Sequence, residues 1–256
     1  MLESLKGYIQ ITIPLRLLPK QFYPLYEWLN KIISAVFVKY SHVSAKGYKP
    51  YSDGKIKPHW GQFDVSYPGH VLGVLSLSLY LLQPLSNRDF KLFKEFILAT
   101  IFHDLNKIIG IEYKRTSCHE LKEKIRAEIE KLFEIIGESK NKALKIDIDH
   151  LLCILERVEK GTIGMCCMYP KKELAEEVKL FGNIISNADK ILSIASLYPI
   201  NEQELLDTIR RTLNNLYSTQ SDIRFINIRD TPYPAFRYLT LKAIARTIDD
   251  LGGEII

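Results

Sequence analysis

The chain has 256 residues, of which 46% are hydrophobic and 25% are charged, and its formal net charge is +5 with neutral histidines. This composition is ordinary for a folded globular protein and argues against overall disorder. The length is enough for one large domain with a substantial core. The modest basic excess permits a polyanionic partner, but much stronger excesses mark dedicated nucleic-acid binders.

From the sequence we expect neither a membrane span nor a secretory signal. The longest apolar stretch runs only from Val71 to Leu82 and is interrupted by two serines, so it is too short to cross a bilayer. The first six residues lack the basic and apolar regions of a signal peptide. We therefore expect a cytoplasmic protein that does not contact the membrane.

Hydrophobic periodicity predicts an all-α fold. Residues 7–18 alternate at first and predict a short extended segment before Pro14. Residues 44–69 are rich in Gly, Pro, Ser and Asp and predict a long irregular loop. In the remaining segments apolar residues recur every three or four positions, which is typical of helices packed in a bundle. The predicted helices cover residues 21–43, 70–83, 88–109, 117–137, 147–158, 171–198, 201–217 and 234–251.

The four cysteines are predicted to be free thiols. They are Cys118, Cys153, Cys166 and Cys167, and no two of them form a C-x-x-C pair, which is the usual spacing of structural zinc ligands. A free cysteine usually behaves as a small buried hydrophobe. We therefore expect no redox or metal role for them.

One apolar helical run ends abruptly in polar groups. The run from residue 96 to residue 102 is followed by His103, Asp104, Asn106 and Lys107. Packing alone gives a core helix no reason to gather these groups, whereas neutral imidazole and carboxylate suit a divalent transition metal. Adjacent helical residues diverge by about 100°, so we expect the helix to end close to this point. The alternative for the dipeptide alone is a buried histidine capped by its neighbouring aspartate.

Two distant residues complete a candidate metal site. His70 precedes His103 and Asp189 follows Asp104, and both are well separated from that dipeptide in the sequence. Each interrupts an apolar helical pattern, where a polar group must be satisfied. Helical folds build core metal sites from ligands on several helices. We therefore predict that these four residues bind a divalent metal.

The order of these ligands, His, then His-Asp, then a distant Asp followed by Lys, resembles the HD superfamily of metal-dependent phosphohydrolases. The form His-Asp-Leu-Asn-Lys at residues 103–107 and the helix opening at His70 are most similar to the HD nuclease domain of CRISPR effectors, in particular the N-terminal HD domain of the type I-D large subunit. The resemblance covers about residues 70–189. It implies an HD-type helical domain over residues 70–256, with residues 1–69 forming an N-terminal helix and a loop packed on it.

The resemblance also implies the chemistry. One or two ions of Mn, Ni, Co, Fe or Mg suit such a nitrogen and oxygen ligand set with open positions. Asp104 would be both ligand and catalytic residue, because in HD proteins the matching aspartate can bridge a second ion. Lys107 would bind a phosphate oxygen, with a solvated lysine at a helix end as the alternative. His119 and His150 are candidate ligands of a second ion, with surface or capping roles as the alternatives.

The loop over residues 44–69 is a candidate nucleic-acid surface. Cations meet phosphates and flat rings stack on bases along single strands, and the loop interleaves both. Alternatively, its rings pin the loop on the bundle and its lysines face solvent. The residues that we select as candidate DNA contacts are Lys49, Lys55, Lys57 and Trp60.

These expectations combine into one functional hypothesis, with two alternatives. We expect a metal-dependent nuclease that hydrolyses DNA phosphodiester bonds, single-stranded in particular, as the HD component of a CRISPR interference complex with other subunits as partners. The first alternative is an HD phosphohydrolase that acts on small nucleotides. The second is a helical scaffold with a degenerate site that binds partner subunits. The apolar segment after Gly253 suggests a fragment of a longer chain, with a native terminus as the alternative.

Overall fold

The fold is all-α, as predicted, and is described from a computed structural model. Among the described residues no helix has the length and apolar character needed to cross a membrane. The described residues are 12–43, 45, 48–50, 56–58, 67–85, 88–109, 116–139, 145–158, 166–167, 172–195, 203, 207, 211, 225–226 and 254–255. Their α-helices are α1 (Tyr26–Tyr40), α2 (Tyr67–Leu82), α3 (Phe93–Phe102), α4 (Leu105–Ile109), α5 (Cys118–Ile135), α6 (Ile148–Val158) and α7 (Lys172–Ala195).

Short 3-10 helices and strands connect some of these helices. The 3-10 helices are Leu15–Leu17, Lys20–Leu25 and Gln83–Leu85, and the strands are β1 (Tyr48–Pro50), β2 (Ile56–Pro58), β3 (Phe225–Ile226) and β4 (Glu254–Ile255). β1 pairs antiparallel with β2, and β3 pairs parallel with β4. The first pair falls within the segment that the sequence predicts to be an irregular loop.

Most helix boundaries lie close to the predicted ones, and the differences have local causes. The helix predicted from residue 21 begins at Tyr26, because Pro24 lies in the preceding 3-10 helix. Conversely, α2 begins at Tyr67, since Pro68 is well suited to a first helical turn. The helix predicted over residues 88–109 divides into α3 and α4 at His103. The predicted helix at 234–251, all but three residues of the predicted helix at 201–217, and residues 7–11 of the predicted extended segment lie outside the described residues.

The chain divides into two compact units, and their boundaries differ from the expected division at residue 70. The first unit contains α1, α3 to α6 and most of α7, and the second contains α2 and the last turns of α7. The first comprises Met1–Thr12, Pro24–Val43 and Asp89–Ser186, and the second comprises Ile13–Tyr23, Ser44–Arg88 and Asn187–Ile256.

Aromatic packing and one glycine organise the core of the first unit. The ring of Phe181 on α7 lies 4.5 Å from that of Phe96 and 5.2 Å from that of Phe90, measured between centroids. α7 also approaches α6 closely at Gly182, where a Cβ would overlap the side chain of Arg157. These contacts hold α3, α6 and α7 together around buried apolar side chains.

The first and last turns of α5 have standard caps. The hydroxyl of Ser117 accepts a hydrogen bond from the backbone N–H of Glu120 at 3.3 Å, which confirms the predicted helix start. At the other end Gly137 has φ +72°, a conformation that glycine adopts at little cost. It lets the N–H of Glu138 donate to the carbonyl of Phe133 at 2.9 Å.

The prediction of free thiols is wrong, because all four cysteines form disulfides. Cys118 bonds to Cys166 and Cys153 bonds to Cys167, with Cα–Cα distances of 5.1 and 4.8 Å. The carboxylate of the buried Glu156 accepts hydrogen bonds from the backbone N–H groups of both Cys166 and Cys167. The two disulfides attach Cys166 to α5 and Cys167 to α6. The linear spacing of the cysteines gave no sign of this pairing.

Candidate metal centre

His103 and Asp104 lie in a turn between two helices of the first unit. α3 ends at Phe102, and His103 follows with φ −59° and ψ −28°. The N–H of Lys107 donates to the carbonyl of Asp104 at 2.9 Å, and α4 begins at the fully buried Leu105. α3 therefore ends just before His103, and α4 follows after a two-residue turn, within the span predicted as one helix over residues 88–109.

A backbone carbonyl sets the tautomer of His103. Its side chain is buried, and Nδ1 lies 2.7 Å from the carbonyl oxygen of Thr100. Because a carbonyl only accepts hydrogen bonds, Nδ1 must carry the proton, and Nε2 of the neutral ring then has a lone pair. This is the arrangement in which a histidine binds a metal, with its other nitrogen donating to a fixed acceptor.

The carboxylate of Asp104 lies near this ring and is paired with a lysine. Its Oδ2 is 3.7 Å from Nε2 of His103, which is beyond normal hydrogen-bond distance. Lys107 Nζ, one helical turn further along, contacts the same Oδ2. The two side chains are 26% and 20% exposed, so Lys107 points toward Asp104 instead of extending into solvent.

His70 and Asp189 meet within the second unit. The His70 side chain on α2 is 4% exposed, and its Nε2 lies 3.1 Å from Oδ1 of Asp189 on α7. The hydroxyl of Ser193, one turn after Asp189, donates to the same oxygen at 3.5 Å. The fold thus brings together one predicted pair whose members are far apart in the chain.

The distance within this pair suits two interpretations. An N–O separation of 3.1 Å is that of a hydrogen bond. Two adjacent ligands of an octahedral ion with bonds of ~2.1 Å also lie about 3.0 Å apart. The pair therefore needs no change in separation to bind an ion, provided that Nε2 of His70 is deprotonated.

The two additional histidines have different environments. His119 is exposed in the first turn of α5. His150 is buried in the first turn of α6, and its Nδ1 lies 2.6 Å from Oδ2 of Asp147. Its Nε2 has no hydrogen-bond partner among the described residues. Asp147 also accepts backbone N–H groups as the cap of α6.

The pKa of Asp147 follows from these contacts. Burial acts to raise the pKa, but hydrogen bonds from the backbone and ring of His150 outweigh it and hold the pKa below its usual range. Asp147 therefore remains a carboxylate that orients the ring. Its own N–H donates to Oε1 of the buried Glu95 at 3.0 Å.

The candidate DNA contacts are described only in part. Lys49 and Lys57 occupy opposite positions in the register of β1 and β2, so two cationic residues are neighbours on one hairpin. Lys55 and Trp60 lie outside the described residues. The structure therefore places two of the four candidate residues at adjacent backbone positions.

An ionic cluster around the buried Glu128 in the first unit was not predicted. Glu128 lies 2.5 Å from the Tyr40 hydroxyl and 2.8 Å from the ammonium groups of Lys39 and Lys131. Burial acts to raise the pKa of Glu128, but the hydrogen bonds from these three residues lower it overall. Burial also raises the pKa of Tyr40. Because Glu128 occurs in an amphipathic helix rich in Glu and Lys, its sequence context does not distinguish it from exposed neighbours.

Two supports of the site were also missed. Neither the Thr100 carbonyl at His103 nor the Ser193 hydroxyl at Asp189 was selected from the sequence. Ser193 follows its partner by four residues, which is contact spacing on a helix, so this signal was available.

No protein-family model, curated protein or solved structure matches the chain.

Proposed function

We propose that the chain is an HD-type, metal-dependent phosphodiesterase in which His70, His103, Asp104 and Asp189 bind a divalent ion together. His70, His103 and Asp104 each offer one ligand atom suited to a metal. The observation that carries the proposal is the Nδ1 contact of His103 with the Thr100 carbonyl, because it leaves Nε2 as a lone-pair donor in a buried position.

The donor set fits the proposed ion. Two imidazole nitrogens and two carboxylates form a donor set that suits Mn, Ni, Co, Fe or Mg. It differs from the thiolate donor set of a structural zinc site. The 3.1 Å separation of the His70 and Asp189 donor atoms equals that of adjacent ligands within about 0.1 Å. His119 and His150 remain candidate ligands for a second ion, and the buried Nε2 of His150 supports His150 over the exposed His119.

Each side chain has a task in hydrolysis. When bound, the ion supplies an acidified water and neutralises charge on the phosphate. His103 is held in the ligand tautomer by Thr100. Asp104 contributes a negative charge to the ligand set, and its Oδ2 forms an ion pair with the Lys107 ammonium group. The Lys107 ammonium group would move from that oxygen to a phosphate oxygen of the substrate, since a lysine side chain has several rotatable bonds.

We propose single-stranded DNA as substrate and a cytoplasmic CRISPR interference complex as the setting, with its other subunits as partners. The likeness of residues 103–107 to the HD nuclease domains of these effectors supports this choice. The opposed positions of Lys49 and Lys57 on the hairpin also support it, because paired cations suit a phosphate backbone.

Calorimetric titration tests the shared ion. Mn²⁺ is titrated into the full chain, into His70→Ala and Asp104→Ala, and into the double variant. If one ion takes ligands from both pairs, each single variant loses at least about tenfold in affinity and the double loses less than the product. Asp149→Ala is the control, because its carboxylate is 70% exposed and pairs with Lys122. Additive losses, or independent sites for the two pairs, contradict the proposal.

Hydrolysis tests the substrate. The chain with Mn²⁺ or Ni²⁺ should degrade labelled single-stranded DNA, and Asp104→Ala should not. Charge removal at Lys49 and Lys57 should weaken DNA binding and reduce its salt dependence. Hydrolysis of free nucleotides alone would favour the small-nucleotide alternative, and metal binding without hydrolysis would favour the scaffold.

A further inference from the structure

α2 and α7 touch at a glycine inside the second unit. A Cβ on Gly73 would lie 2.7 Å from Cδ2 and 3.3 Å from Cδ1 of Leu192. Real Cβ atoms do not approach other atoms as closely as 2.7 Å, so a larger residue at position 73 requires the terminal methyl groups of Leu192 to move. Glycine is otherwise less favourable than alanine in a helix interior.

This contact lies beside the pair formed by His70 and Asp189. Gly73 follows His70 by three residues, and Leu192 follows Asp189 by three residues. Residues three apart share one face of a helix, with a rise of about 4.5 Å. The Gly73–Leu192 contact and the His70–Asp189 contact are therefore successive contacts along the same pair of helices.

The separation of the two helices determines whether the polar pair can form. Imidazole and carboxylate side chains are short, and their donor atoms lie 3.1 Å apart. The distance between two packed helix axes depends on the side chains at the contact. The end of the Leu192 side chain occupies the space where a Cβ of residue 73 would lie, so the glycine lets the two helices lie close together one turn from the pair.

We propose that Gly73 and Leu192 are positioning residues that hold His70 and Asp189 at the separation of two adjacent metal ligands. The effect on metal affinity rests on the proposed function, whereas the effect on the distance between His70 and Asp189 does not. Ser193 supports the same arrangement by donating to Asp189. Gly73 has no side chain, and the end of the Leu192 side chain occupies the space where one would lie.

The test compares Gly73→Ala, Leu192→Ala and the double variant in the full chain. Gly73→Ala should weaken Mn²⁺ binding about tenfold or more, as changes next to metal ligands usually do. The double variant should recover most of this loss, because the shorter side chain at position 192 would leave room for the new methyl group. Crystal structures should show a longer Nε2–Oδ1 distance in Gly73→Ala and a restored one in the double variant.

Gly182→Ala is the control for a general loss of stability. It introduces a methyl group against Cβ of Arg157 and the carbonyl of Ile154, a tighter contact than the one at Gly73. It should therefore lower the unfolding temperature more than Gly73→Ala does, without changing Mn²⁺ affinity. Unchanged Mn²⁺ affinity in Gly73→Ala, or no rescue in the double variant, would overturn the inference. If the wild-type chain binds no Mn²⁺, the proposed function fails, and the crystallographic distances alone decide whether Gly73 positions the pair.

Discussion

The first unit contains two local histidine–aspartate pairs, and they are connected in opposite ways. At Asp147 and His150 the carboxylate lies 2.6 Å from the ring Nδ1, so the aspartate orients the histidine. At His103 and Asp104 the Nδ1–H group donates to a backbone carbonyl oxygen 2.7 Å away, and the carboxylate remains 3.7 Å from Nε2. The carboxylate therefore orients the ring only in the first arrangement, and in the second it contacts Lys107 instead. Identical residue types thus give a helix cap in one place and a candidate metal centre in the other.

Exchange of the two histidines for glutamine gives the largest difference. We expect His103→Gln to reduce Mn²⁺ affinity and hydrolysis by roughly a hundredfold or more, because a direct ligand is lost. His150→Gln should retain binding of the first ion. Titration calorimetry and a DNA cleavage assay measure both. Equal losses in the two variants would show that His150 also binds metal and would remove the contrast between the pairs.

We expect the Cys153–Cys167 disulfide to stabilise the region around the Asp147 cap of α6 and not the candidate metal centre. Cys153 lies one turn after His150 on α6 and bonds to Cys167 at a sequence separation of 14. Replacing both by serine should lower the free energy of unfolding by about 3 kcal/mol, mainly because the unfolded chain gains freedom. Chemical denaturation measures this change. Mn²⁺ affinity should remain within about twofold, and a larger loss would mean that the disulfide supports the metal ligands.

These bonds also bear on location. Disulfides are more usual in oxidising compartments than in a reducing cytoplasm. If the protein is cytoplasmic, thiol alkylation in freshly lysed cells should show whether the four cysteines are bonded there. Fully alkylated cysteines would mean that the cytoplasmic form lacks the two bonds and the stability that they confer.

Removal of the cap should have a moderate effect that depends on pH. Asp147→Asn keeps the shape of the side chain but loses its charge, and we expect a loss of about 1 kcal/mol at neutral pH. Because the pKa of Asp147 is lowered in the fold, its contribution is present above the ordinary carboxyl pKa and disappears as the pH falls through the lowered value. Unfolding measured from pH 7 to 2.5 should therefore show the two proteins converging. A constant difference would contradict the charge-based account.

The smallest effect is expected at Glu95, which accepts the N–H of Asp147. Burial raises the pKa of this carboxyl despite two backbone hydrogen bonds that lower it. A raised pKa means that ionisation destabilises the fold, so this penalty is present above the folded pKa and is relieved as the pH falls. Glu95→Gln should therefore gain less than about 1 kcal/mol at pH 8 and nothing at pH 4. A loss at pH 8 would show that the charge is needed.

Several features were predictable because they depend on neighbours in the chain. Periodicity identifies α5 and α6 to within a residue or two, and the polar residues after Phe102 indicate the end of α3. The sequence does not show that α3 and α4 are separate helices, because Leu105 to Ile109 continue the apolar pattern. It also misses the cap at Asp147, since one carboxylate can bind a backbone, a ring or an ion.

The sequence by itself determined most of the described helices, the polar residues at the end of α3 and the residue types suited to a metal. The tertiary structure decided which cysteines bond and that Asp189 meets His70. Each of these depends on groups brought close by packing, and Gly73 shows why. Nothing in its neighbours reveals that Leu192, far away in the chain, occupies the space where its side chain would be.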